Sequence, residues 1–180
     1  AQLTVNSQVQ FAWLERGAVR SEGQGTLQHF SKRRQAVDCF LHPRDSLLPR
    51  LDVPPLAPAK TAAAVACAAQ ALILGPVGQM HVAHGPRDSD GCVPVAWVPN
   101  AGLEWLGQVL AQVSLKLRGL YPAPYALQVG VAAMDEGYLL TRHSLQHGTV
   151  HPLGQHALDA LFDVQLAATA QRWSGAVPAW

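Results

Sequence analysis

The sequence predicts an α/β protein with mixed strand pairing, arranged in two lobes. Three observations carry that expectation. Strand-length apolar runs alternate with three helix-length segments along the 180 residues. The unit strand, turn, strand, then helix appears towards both ends of the chain, a weak internal repeat of structure rather than of sequence. The stretch Leu120-Tyr121-Pro122-Ala123-Pro124 reads as a stiff connector between the two occurrences. The expected boundaries are therefore 1–122 for a first lobe with an inserted strand pair and helix, and 123–180 for the start of a second, truncated lobe.

The elements are justified in order. Val9 to Leu14 and Ala18 to Ser21 read as strands joined by Glu15-Arg16-Gly17, with Leu3 to Val5 extending the first. Gly23-Gln24-Gly25 reads as a turn. Ala36 to Leu41 is a continuous apolar run that suits a strand buried on both faces of a parallel sheet. Ser46 to Val53 alternates and reads as a strand near an edge, ended by Pro54-Pro55. Pro58 suits a first helical turn, and Lys60 to Leu74 is an Ala-rich helix stopped by Gly75-Pro76. Met80 to Gly85 and Val93 to Val98 form a strand pair across a loop ending in Asp90-Gly91. Asn100 is the expected N-cap of a helix from Gly102 to Leu117, because Leu103, Leu106, Leu110, Val113 and Leu117 repeat at helical spacing. Ala126 to Ala133 and Tyr138 to His143 read as strands around Asp135-Glu136-Gly137. Thr149 to His151 begins a third strand after the turn Gln146-His147-Gly148. Leu153 to Trp173 reads as a final helix with Leu158, Leu161, Phe162 and Leu166 inward.

Composition narrows the function. Hydrophobic residues make up 49% of the chain, enough for a sizeable core. Charged residues make up 14%, against a usual ~25%. A sparsely charged surface points to a partner that covers part of it. Net charge is +1, and no basic run exceeds Lys32-Arg33-Arg34, which argues against nucleic acid as a partner. Cys39, Cys67 and Cys92 form no CxxC pair; Cys39 and Cys67 read as buried small hydrophobes in a reducing compartment. Residues 1–6 lack the pattern of a signal peptide. The longest apolar stretch, Ala62 to Leu74, is interrupted by Gln70 and is too short to span a bilayer, so the expectation is a soluble fragment.

Clusters that run chemistry are missing from the pattern. His81 and His84 would point to opposite faces of a strand and cannot share one ion there. His143, His147, His151 and His156 fall in strand and turn, which favours loop histidines over a metal cluster. Asp88 and Asp90 read as turn residues that accept from their own backbone, and Asp135 and Glu136 as another such pair. Ser144 and Ser174 lack a nucleophile elbow. Trp97, Trp105, Trp173 and Trp180 read as core or interface anchors. No catalytic, cofactor-binding or metal-binding residue is assigned, and the chain is not expected to be an enzyme.

Four pieces together resemble a known family. They are the opening hairpin from Val9, the run Leu51-Asp52-Val53-Pro54-Pro55-Leu56 leading into Ala59-Lys60, the segment His81-Val82-Ala83-His84-Gly85-Pro86-Arg87 with Asp90-Gly91, and Tyr138-Leu139-Leu140-Thr141-Arg142. Their order is similar to that in the cytoplasmic domain of the type II secretion system L protein. The resemblance implies an actin-like, RNase H-like fold in two lobes. It implies a scaffold on the cytoplasmic face of the bacterial inner membrane, anchored by a membrane segment beyond residue 180. That scaffold would link the secretion ATPase (the E protein) to the platform subunits M and F, with a homodimer also possible. Arg142, Trp173 and Trp180 are the candidate partner-binding residues, as interfaces favour aromatic residues and Arg. Family members often carry a Glu late in the Ala-rich helix, where this chain has Ala68-Ala69-Gln70-Ala71. The alternative reading is a related pilus-assembly protein that binds nucleotide. Against it, the first hairpin carries bulky Phe11 and Trp13 where phosphates would need space.

Overall fold

Hydrogen bonding divides the strands of the chain into four short sheets, in a computed structural model that describes residues 2–16, 18–31, 34–135, 137–153 and 172–174. The first is the hairpin of β1 (Gln8–Glu15) and β2 (Ala18–Thr26), with Arg16 at φ 52 in its turn. Gly23-Gln24-Gly25 is strand here, not turn. Phe11 stands opposite Gly23, and its ring lies 3.6 Å from where a Cβ on Gly23 would sit, so the glycines make room for an aromatic side chain. Leu3 to Val5 is not a strand. Leu3 and Val5 pack beside the second helix, and the Trp105 Nε1–H donates to the Leu3 carbonyl at 2.7 Å.

The second sheet pairs β3 (Ala36–Phe40) in parallel with a strand absent from the sequence reading, β7 (Lys116–Tyr121). The helix expected to reach Leu117 ends at Gln112. Ser114 at φ 58 turns the chain, and the Leu115 amide donates back to Leu110. Leu117 satisfies both periods: it lies four residues after Val113, and it alternates with Lys116 and Arg118. Tertiary pairing with β3 decides in favour of strand. β3 is only half-buried: Val37 and Cys39 face the helix, while Phe40 is exposed.

The third sheet has the order β4-β6-β5, from β4 (Arg50–Asp52), β5 (Met80–His84) and β6 (Cys92–Pro99). It packs on α1 (Pro58–Ala69) through Val53, Val65, Ala69, Val93 and Val95. α1 stops before the expected Leu74. The Ala69 carbonyl accepts from both Leu72 and Ile73, and this tighter turn buries Ile73 and leaves Leu74 98% exposed. Cys67 is exposed rather than buried, because α1 covers the sheet along its Val65–Ala69 face. The second helix, α2 (Asn100–Gln112), takes Pro99 as its N-cap residue. Asn100 does not cap; its amide donates to the Gly78 carbonyl at 3.2 Å.

The fourth sheet has the order β10-β9-β8-β11, with β8 (Ala132–Asp135), β9 (Tyr138–Arg142), β10 (Gly148–Pro152) and β11 (Arg172–Ser174). The strand expected from Ala126 begins only at Ala132, because Ala123–Ala126 coils into a short 3-10 turn and Gly130 takes φ 84. Of the expected helix from Leu153 to Trp173, residues 154–171 lie outside the described ones, together with its four inward residues. Arg172–Ser174 is a strand parallel to β8. Among the described residues, no helix is long and apolar enough to cross a membrane.

Candidate functional site

The loop between β9 and β10 is held by a dense set of hydrogen bonds. β9 reads Tyr-Leu-Leu-Thr-Arg, and its pairing on both sides buries Leu139, Leu140 and Thr141. The same burial takes in Arg142, which is 8% exposed. Its Nε donates to the Ser144 carbonyl at 2.6 Å and its Nη2 to the Leu145 carbonyl at 2.7 Å. Its guanidinium lies 3.7 Å above the centre of the Tyr125 ring. Nη1 has no hydrogen-bond partner among the described residues. Burial holds Arg142 below the usual arginine range and pushes the Tyr125 phenol up.

Other groups complete the lock. The Ser144 hydroxyl accepts from the amides of Gln146 and His147, and the Tyr125 hydroxyl donates to the Gln146 carbonyl at 3.1 Å. The His143 and Ser144 amides both donate to the His147 carbonyl. This scaffold presents Leu145, 70% exposed, at the tip of a rigid loop. The rings of His143 and His147 lie 4.7 Å apart beside it. Burial depresses both imidazoles; each is disfavoured further by a neighbouring cation-forming group, His147 for His143 and Arg50 for His147.

Arg50, whose charge disfavours the His147 cation, is bonded to the β5–β6 loop. It donates to Asp88 at 2.8 Å and to Asp90 at 2.6 Å. Asp88 also accepts from the amides of Asp90 and Cys92, as expected of a turn aspartate. Burial opposes the Asp88 charge, but Arg50 and these amides outweigh it and hold the carboxyl below its usual range. Arg87 closes the loop by donating to the carbonyls of Val53, Pro54 and Gly91. Leu51–Pro54 and His81–Arg87, quoted above as separate pieces, are thus two sides of one clasp.

Of the three candidate partner-binding residues, two lie on strands that flank β8, Arg142 on β9 and Trp173 on β11. Arg142 is interior and acts on the loop rather than on the surface. Trp173 falls in β11 opposite Ala133. Trp180 lies outside the described residues. The sequence gives no local sign of Tyr125 or Leu145, and Ser144 stands out only as a serine without a nucleophile elbow; the available signal is an Arg at the end of an otherwise apolar strand. His81 and His84 are exposed on β5, and His156 is outside the described residues. Among the described residues no three metal-ligating side chains gather. Phe11 leans on Phe30, with ring centroids 5.0 Å apart, instead of standing free in a cleft.

No protein-family model matches the chain, and no curated protein matches it by sequence. Its fold resembles that of the cytoplasmic domain of EpsL, an inner membrane component of the type II secretion system of Vibrio cholerae. The TM-score is 0.71 at 17% identity, over 95% of this chain and 77% of that one. It also resembles a PilM-PilN type IV pilus biogenesis complex, with TM-score 0.61 at 15% identity, over 92% of this chain and 65% of that one. The fold is therefore actin-like, as the four sequence pieces imply.

Proposed function

We propose that this chain is a non-catalytic scaffold of a type II secretion inner-membrane platform. It links the cytoplasmic secretion ATPase to the membrane subunits from the cytoplasmic face of the inner membrane. The observation that carries the reading is the structural match to a secretion component over 95% of the chain. The division into lobes at residues 122 and 123 belongs to the same proposal. So does the surface: the loop from Ser144 to His147 presents Leu145 as an apolar knob that needs no ordering on binding, which lowers the entropic cost of association. Arg142 contributes by fixing that loop.

The test is co-purification of the full-length protein with its cognate secretion ATPase. Stoichiometric recovery is expected, and Leu145→Glu is expected to weaken it at least tenfold without changing thermal stability. Failure of the unaltered protein to bind overturns the reading. Loss of binding only in unfolded variants overturns the assigned surface. The second reading, a nucleotide-binding pilus-assembly protein, is favoured by the PilM-PilN match. Titration with ATP and magnesium separates the two: saturable micromolar binding selects the second.

A further inference from the structure

The Tyr125 ring that supports Arg142 sits on the short 3-10 turn Ala123–Ala126, and that turn is stiff and crowded. Pro122 and Pro124 fix the backbone on either side of Ala123. Ala123, Pro124 and Ala126 are buried. Pro124 also abuts β10: a Cβ on Gly148 would lie 2.7 Å from the Pro124 Cβ. The Tyr125 side chain leaves the turn towards the β9–β10 loop, where its hydroxyl donates to the Gln146 carbonyl and its ring lies under the Arg142 guanidinium. Tyr125 stands two residues past Ala123 in one tight turn, so a displacement of the Ala123 backbone carries the ring with it.

The group that holds Ala123 comes from a distant part of the chain. The Ala123 amide donates to the Ser46 hydroxyl at 2.8 Å, a bond that spans 77 positions. Ser46 is 2% exposed and follows the turn Pro43–Asp45, after β3. The same hydroxyl donates to the His42 carbonyl at 3.0 Å. Its one hydrogen is committed there, and its lone pairs receive the Ala123 amide. Alanine at this position would strip the bond from a buried amide, and burying an unpaired amide is costly. Two further contacts tie the same segment to its surroundings. The Leu41 amide donates to the Tyr121 carbonyl at 2.8 Å, and the His42 ring stands edge-on to Tyr138 of β9, with centroids 6.4 Å apart. Residues 41–46 therefore grip both the start of the 3-10 turn and the sheet that bears the loop.

Arg142 needs that support. Its Nη1 has no hydrogen-bond partner among the described residues, and its side-chain hydrogen bonds go to the loop itself, at Ser144 and Leu145. Those bonds shape the loop only while the guanidinium is fixed by a group outside the loop, and the Tyr125 ring supplies this.

We propose that Ser46 is a positioning residue for the β9–β10 loop. It holds the Ala123 amide, which sets the 3-10 turn, which in turn sets Tyr125 under Arg142 and beside Gln146. The presentation of Leu145 thus depends on a serine outside the sheet that carries the loop. The consequence for partner binding rests on the docking role proposed above; the positioning itself does not.

The test is native-state amide hydrogen exchange on the full-length protein. In the unaltered chain the amides of Ala123, Gln146 and His147 are expected to open as one unit, with protection equal within about threefold and one shared denaturant dependence. In Ser46→Ala the Gln146 and His147 amides are expected to exchange about tenfold faster. A merely structural role gives another pattern. It speeds exchange at buried amides such as that of Val65 in α1, which follow the stability of the whole fold, and leaves the local opening of the loop unmoved. That pattern overturns the proposal. So do separate openings of Ala123 and the loop in the unaltered chain, an arm that holds even where Ser46→Ala fails to fold. Recovery of the secretion ATPase is the second readout, and is expected to fall in Ser46→Ala. A loosened loop that still recovers the ATPase in full supports the positioning and overturns the docking role instead. Lost recovery with unchanged exchange at the loop overturns the positioning and leaves the docking role standing.

Discussion

Two loops of this protein are each held by an arginine, and they differ in where that arginine sits. In the β9–β10 loop, Arg142 is buried, bonded to two carbonyls and stacked on Tyr125, with no carboxylate bonded to it among the described residues. In the β5–β6 loop, Arg50 and Arg87 lie nearer water and use Asp88, Asp90 and backbone carbonyls. Both arrangements fix a loop. Water weakens the second, because it competes for every partner and salt screens the charges. A buried guanidinium without a counter-ion depends wholly on its hydrogen bonds and its ring, so its removal is felt in full.

The largest expected effect is therefore from Arg142→Ala. It removes two charge-assisted hydrogen bonds and a stacked ring contact, for roughly 2–4 kcal/mol of stability. Chemical denaturation reads this as a lower midpoint with an unchanged slope. The loss is expected to be nearly the same in 0.05 M and 0.5 M salt. A strong dependence on salt would place the guanidinium at the surface and remove the contrast between the loops.

Gly148→Ala comes next, and tests the same loop from its far end. A Cβ there would lie 2.7 Å from Pro124 Cβ and 3.0 Å from the Thr141 carbonyl. The neighbours are a proline ring and a backbone atom, and neither yields easily. The expected cost is about 1–3 kcal/mol, the range for overpacking a filled site. Thermal melting of the variant checks it; a neutral result would mean that β10 shifts away from Pro124 without penalty.

How far the sequence announced these features follows their physics. The β5–β6 loop was legible because Asp90-Gly91 is a turn signal with a backbone cause, and Gly91 takes φ 83. The start of α1 was legible because Pro58 suits a first helical turn. β7 was not, since Leu117 fits a helix as well as a strand until β3 lies beside it. Gly23 and Gly25 were misread for a related reason. Their need is set by the Phe11 ring across the hairpin, not by a local conformation. The same holds for the site: Arg142 draws its role from Tyr125, seventeen positions away and in another element.

Arg87→Ala is expected to act weakly on stability, and more on exchange. Arg87 is exposed and its acceptors are carbonyls that water can serve, so Tm should change by no more than about 2 °C. The Asp88–Cys92 amides should nevertheless exchange faster, since Arg87 joins the Gly91 carbonyl to Val53 and Pro54. Equal losses of stability for Arg87→Ala and Arg142→Ala would show that burial does not separate the loops.

The smallest effect is the pH dependence of the junction between them. His143 and His147 have folded-state pKa values below the ordinary 6.5. Below that pH the unfolded chain binds protons that the folded chain does not, so stability falls as pH drops from about 6.5 towards the depressed values. The lowered carboxyls of Asp38 and Asp88 act in the same direction but in a separate window, below their ordinary 3.8. Denaturation midpoints between pH 7 and pH 5 isolate the histidines. His143→Gln is expected to flatten that segment, through loss of its own titration and of its charge beside His147, and to leave the segment below pH 4 unchanged. His147→Gln should do the same while also freeing the Arg50 cluster from a competing cation. If neither variant alters the slope, the two imidazoles titrate like exposed ones, and the β9–β10 loop is no better sheltered from water than the β5–β6 loop.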